Sequence, residues 1–235
     1  MLLLTLAAVI PAIYLIRYVY LKDHLEKESP KLIRGLILMG VLSTFAASLT
    51  ESAGSFILGF NAEQGSTGSV ISDFLMYFFV VGLSEEGFKY LLLKKKTWNN
   101  PEFNCLFDGV VYATAVSLGF ALWENVLYVW QLGFMAALIR AVTAVPGHAC
   151  FGVFMGAYYG AAKRLELWGN PAESKKYRQR ALLIPVLLHG LYDFIATGES
   201  WIATIMFVVF IIFLFKTAIG MVKRISANDA YFNQQ

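Results

Sequence analysis

Cysteine, histidine and charge are all in short supply in this sequence. Cys105 and Cys150 are the two cysteines, too few for a disulfide framework, and Cys150 lies inside an apolar run where it reads as a small core residue. Charged residues make up 15% of the chain, against about 25% in an ordinary soluble domain. Hydrophobic residues make up 58%, and the mean hydropathy is +0.60. A soluble protein of 235 residues could not bury that much apolar surface. The net charge of +3 is spread over loops and forms no basic-aromatic groove, which excludes a nucleic-acid-binding face. There is no low-complexity tract and no loop long enough to fold alone. The first apolar run lacks a basic lead-in and a small-residue cleavage site before Lys22, so it reads as a retained span rather than a signal peptide.

The pattern that is present is that of an all-α, polytopic membrane helix bundle. Seven apolar segments fall at about 1–21, 33–60, 69–93, 106–131, 134–162, 181–197 and 200–222. The sixth is short for a full span. The connections alternate in charge. Lys22, Lys27, Lys31 and Arg34 mark the first; Lys94, Lys95 and Lys96 the third; Lys163, Arg164, Lys175, Lys176, Arg178 and Arg180 the fifth; Lys223 and Arg224 follow the last span. The intervening connections hold no Lys or Arg. The positive-inside rule then places the N-terminus outside and the C-terminus in the cytoplasm. Residues 1–224 read as one transmembrane catalytic domain, and 225–235 as a cytoplasmic tail expected to fray.

Against that apolar background, some residues are out of place. A charge at bilayer depth costs several kcal/mol, so unpaired ones are rare there. The third segment holds Glu85, Glu86 and Lys89, the fourth Glu124 and Asn125, the fifth Arg140 and His148, the sixth His189 and Asp193. Helical spacing puts Lys89 on the face of both glutamates, three and four residues away. Such a pair suits proton transfer: one carboxylate neutralises Lys89 while the other acts as general base and then acid. A structural Glu–Lys lock is the plain alternative. His189 and Asp193 share a face four residues apart, with Pro185 one turn before them. His148 heads a stripe with Gly152, Gly156 and Gly160, a small-residue face for close helix contact. His24 lies in a loop, so His148 and His189 are the two histidines inside spans. Two histidines and a carboxylate form a catalytic zinc set with room for water. Glu124 is the expected third ligand. Asp193 competes with it, or else orients His189. Zn2+ would bring its bound water toward neutrality for attack on a carbonyl. Arg140 has Glu51 or Glu124 as possible partners, and Asp108 reads as structural.

Three of these groups match a family pattern in order and spacing, over roughly residues 14–197. Glu85-Glu86-Gly87-Phe88-Lys89 resembles the EExxK motif of the PrsW family of bacterial intramembrane metalloproteases; Phe120 to Glu124 resembles its FxxxE motif, and His189 to Asp193 its HxxxD motif. The plan is similar to that of the CAAX prenyl endopeptidases, which carry EExxxR, FxxxH and HxxxN. Here Lys89 stands one residue closer than their arginine and Glu124 replaces a histidine, which argues against a prenyl-protein substrate. The resemblance implies a multi-pass protein of the bacterial plasma membrane, in contact with lipid. It would cleave a single-span membrane protein, an anti-sigma factor in a stress response. Two other functions fit the buried charges: a proton-coupled transporter or channel, against which no internal repeat is found, and a non-catalytic relative that shields a membrane partner.

Overall fold

The computed structural model describes residues 2–61 and 65–233. Among them the chain is helical throughout, with two isolated β-bridges and no strand. The helices are α1 (Leu2–Lys22), α2 (Pro30–Leu58), α3 (Val70–Leu75), α4 (Leu83–Thr97), α5 (Leu106–Leu132), α6 (Phe134–Val142), α7 (Ala144–Leu167), α8 (Pro171–Ala196) and α9 (Trp201–Ala227). A π-helical stretch, Met76–Gly82, joins α3 to α4.

Local chemistry sets the helix ends. Ser29 caps α2 by accepting from Leu32 N at 3.2 Å, with Pro30 in the first turn where its missing N–H costs nothing. Asn170 caps α8 in the same way, and Ser200 caps α9. Gly59 ends α2 in the left-handed conformation, φ +66°.

α5 forms the centre and packs against α1, α2 and α7. Its residues are buried nearly all round, whereas α9 turns Trp201, Ile205, Val209, Ile212 and Phe213 outward. That much exposed apolar surface is stable in lipid and not in water. Among the described residues, five stretches are long and apolar enough to cross a membrane: Leu3–Lys22, Pro30–Leu58, Leu106–Leu132, Phe134–Leu167 and Trp201–Ala227. The other two expected segments lie in α3 to α4 and in α8, which carry Glu85, Glu86, Lys89 and His189.

The glycine stripe does what its spacing predicts. Gly156 and Gly160 of α7 sit against the backbone of Gly109 and Leu106 on α5, and Gly152 sits against Thr114 and Ser117. A Cβ at Gly156 would collide with the Gly109 carbonyl, a backbone atom that cannot swing aside. Gly156→Val is therefore expected to cost about 1–3 kcal/mol of stability by overpacking. Gly220→Ala, with no neighbouring atom within 4 Å, is expected to cost nothing. Thermal unfolding of the two variants in detergent checks the contrast.

Two expectations need correction. The fifth segment is not one helix: Thr143, at φ −121° and ψ −77°, breaks it into α6 and α7. Pro146 falls in the first turn of α7, where a proline needs no intrahelical partner. The described part of the tail, residues 225–233, does not fray either; 234–235 lie outside the described residues. Asp229 Oδ1 accepts from Phe107 N at 3.0 Å, Phe232 N donates to Asn104 O at 2.8 Å, and the Phe232 ring is buried in the core. These contacts join other links at the lysine-rich end. There Ser29 bonds Glu102, Lys163 Nζ bonds Trp98 O at 2.8 Å, and Ser226 Oγ bonds Lys22 O.

Candidate functional site

The π-helical stretch ends one residue before α4 begins, and α4 carries the glutamates in its first turn. π-helical turns recur where a helix must re-aim side chains at a site. Gly82 at its end lies against Val186 and Gly190 of α8, and Gly190 lies against Phe78. Glycine on both sides lets α4 and α8 approach closely, which brings Glu86 onto His189.

Lys89 is fully buried, and its ammonium is the hub of the cluster. Nζ lies 2.7 Å from Glu86 Oε1, 3.1 Å from Glu85 Oε2 and 3.1 Å from His148 Nδ1, over the Phe120 ring at 3.8 Å. An ammonium has no acceptor, so His148 Nδ1 offers its lone pair and the ring proton sits on Nε2. That Nε2 faces Glu124 Oε2 at 3.0 Å. His189 Nδ1 lies 2.9 Å from Glu86 Oε1 and 3.8 Å from Glu85 Oε2, while its Nε2 faces Asp193 Oδ2 at 3.4 Å. The two imidazoles meet edge to face at 5.1 Å, and Phe151 stacks on His189 at 4.8 Å.

All seven sequence-predicted residues therefore gather at one place, in two arrangements. Glu85, Glu86, His148 and His189 form the inner set, each offering a ligand atom within 4.8 Å of the others. Glu124 and Asp193 lie behind it, each against the far nitrogen of one histidine. Glu124 also takes Arg140 Nη2 at 2.7 Å, which decides between the two partners open to Arg140. The guanidinium lies 3.9 Å from the Tyr128 ring, and its Nε donates to Asn125 Oδ1 at 2.9 Å.

Glu51 of α2 joins the cluster as well. It interacts electrostatically with Glu85 and Glu124, and its Oε1 is buried without a hydrogen bond. The sequence signalled it only as a structural carboxylate and a possible partner of Arg140. Phe120, Phe151 and Tyr128 wall the cluster; Phe120 was marked by its motif, and the other two carried no signal beyond aromaticity.

The inner set fits a zinc-type ion by donor chemistry, with two imidazoles and two carboxylates. Glu86 Oε2 adds an independent sign: it is buried and has no hydrogen-bond partner. Such an atom pays its full desolvation cost unless something binds it.

A family model described as PrsW family intramembrane metalloprotease matches residues 28–218. Among curated proteins, the chain is 35% identical to the protease PrsW of Oceanobacillus iheyensis over 222 residues, covering 94% of this chain and 95% of that one. It is 33% identical to the protease PrsW of Bacillus subtilis, with 93% of each chain covered. It is 31% identical to the protease PrsW of Clostridioides difficile, over 94% of this chain and 90% of that one. No solved structure matches.

Proposed function

The chain belongs to the PrsW family of intramembrane metalloproteases, and from that premise we propose that its buried charge cluster is the peptidase site, with Glu85 as general base and the two histidines as the core of a metal site. Membership makes the chain a peptidase and a multi-pass protein of the bacterial plasma membrane. The finer assignments are proposals. One observation carries them: Glu85, Glu86 and His189, from two motifs of the family, converge with His148 within 4.8 Å inside a membrane bundle.

His148, His189 and Glu86 would hold the ion, proposed as Zn2+, which supplies Lewis acidity and an activated water when bound. Glu124 was the ligand expected from sequence. Its position behind His148 supports an orienting role instead, and Asp193 would do the same for His189, in the pattern of a carboxylate fixing a metal-binding imidazole. Arg140 then holds Glu124 in place. Glu85 keeps slight exposure and accepts one hydrogen bond, from Lys89 at 3.1 Å, with His189 Nδ1 farther off at 3.8 Å, so it is the freer carboxylate to take and return a proton. Lys89 offsets the glutamates' charge.

The proposed topology has seven spans, with α3–α4 and α8 added to the five apolar ones. α8 has 26 residues, about 39 Å at 1.5 Å per residue, enough to cross. His189 and Asp193 face the cluster rather than lipid, and Glu173 to Arg180 occupy its first turns at the lysine-rich end. The lysine-rich end would be cytoplasmic. The substrate is proposed to be a single-span membrane protein, and more specifically an anti-sigma factor cut in its first proteolytic step; this last detail rests on the family resemblance. The proton-transport reading gains no support from relatives that are named proteases.

The test is cleavage of a single-span substrate by the purified chain in liposomes. A chelator should abolish cleavage, and added Zn2+ should restore it. Unchanged cleavage after exhaustive chelation, in protein shown to hold no metal, would sink the metal assignment. Proton flux with no cleavage of any membrane substrate would sink the peptidase site.

A further inference from the structure

A second group of carboxylates lies at the lysine-rich end, and neither the motifs nor the proposed chemistry uses it. Asp23 and Glu28 come from the α1–α2 connection and Asp108 from the first turn of α5. All three are buried, and each offers an oxygen within 4.8 Å of the others. Asp229 of the folded-back tail adds a fourth carboxylate that interacts electrostatically with Asp23.

Most of the set has hydrogen-bond partners. Asp108 Oδ2 accepts from Cys105 N at 2.7 Å and Asn104 N at 2.9 Å, and Glu28 Oε2 accepts from Tyr112 OH at 2.6 Å. Asp23 differs. It is 1% exposed, and neither of its oxygens has a hydrogen-bond partner. The nearby ammonium of Lys27 bonds the backbone carbonyls of Tyr20 and Asp23 instead. Among the described residues, no Lys, Arg or His forms an ion pair with any of the three. Asp229 Oδ2 is also buried without a partner.

Glu28 and Asp108 also hydrogen-bond each other, which lets them share a proton; Asp23, with both oxygens bare beside them, is relieved only by its own protonation or by a cation between the three. We infer that Asp23, Glu28 and Asp108 bind a hard divalent cation, of the Mg2+, Ca2+ or Mn2+ class, that staples the α1–α2 connection to the start of α5. An all-oxygen donor set selects these ions over zinc, which favours nitrogen and sulfur. The site is distinct from the histidine cluster in position, donors and metal class. Its role is structural: it holds together chain segments that are distant in sequence, next to the docked tail.

Mn2+ titration of the purified, chelator-stripped chain in detergent, followed by electron paramagnetic resonance, tests this inference. The expected result is one Mn2+ taken up per chain and displaced by Ca2+ or Mg2+, together with a rise in Tm that NaCl of equal ionic strength does not reproduce. Asp23→Asn should weaken Mn2+ binding by more than about 100-fold, beyond the loss typical of an outer partner. Its cation-free Tm should equal or exceed that of the wild type, because one repelling charge is gone. Glu28→Gln serves as a second variant. His189→Ala should keep the Mn2+ response, which separates this site from the proposed zinc site. No Mn2+ uptake by the wild type would overturn the inference, as would undiminished uptake in both Asp23→Asn and Glu28→Gln.

Discussion

Glu85→Gln is expected to lower the rate of substrate cleavage by about 10²- to 10⁴-fold, the range that a positioned general base contributes. The amide keeps the shape of the side chain and can still accept from Lys89, 3.1 Å away, so the helix packing survives. It cannot take a proton from water. The loss should fall on kcat, with KM little changed, because Glu85 lies inside the bundle rather than on a surface where a substrate helix would dock. Glu86→Gln should also inactivate. It should in addition weaken metal retention, because Glu86 Oε1 is shared by Lys89 and His189 and its Oε2 awaits a partner. The two variants therefore separate by metal content. Glu85→Gln at the wild-type rate would exchange the two roles if Glu86→Gln were dead, and would remove the cluster from catalysis if both remained active.

The second large effect is on stability. Lys89→Met should destabilise the protein by about 3–5 kcal/mol, the cost of leaving a buried charge without its partner. Lys89 is fully buried and bonds both glutamates as well as His148. Methionine fills much of the same volume, so the loss reports charge rather than a cavity. Lys89→Arg should rescue poorly. A guanidinium is a wide planar fork, and the pocket holds a compact ammonium 3.8 Å above Phe120. Combining Lys89→Met with Glu86→Gln should recover part of the loss, because one orphaned carboxylate is removed with the lysine. Denaturant titration of the detergent-solubilised variants provides the measurement. A Lys89→Met protein as stable as the wild type would mean that the glutamates are not held as an ionised pair.

The sequence by itself determined whatever one helix decides. Apolar runs with alternating loop charge specified a helical membrane bundle. Spacings of three and four put Lys89 beside Glu85 and Glu86, and Asp193 beside His189, because a helix returns to the same face each turn. The glycine stripe of α7 marked a close crossing for the same reason, and α5 lies there. Three ordered motifs then indicated the peptidase family.

The tertiary structure decided every contact between helices. The break at Thr143 starts a new helix after α6, and Arg140 of α6 pairs with Glu124 while Glu51 Oε1 is left without a hydrogen bond; no local pattern ranks those partners. The division of the cluster into Glu85, Glu86, His148 and His189 inside, with Glu124 and Asp193 behind, depends on which nitrogen each imidazole turns toward α4. The acidic set of Asp23, Glu28 and Asp108 could not be read in advance either. Its members lie on a connection and a distant helix start, where each alone reads as an ordinary loop or cap carboxylate. The misplaced charges that first marked this chain as unusual fix its chemistry by residue type. Their pairing depends on how the helices cross, and helical periodicity carries no information about that.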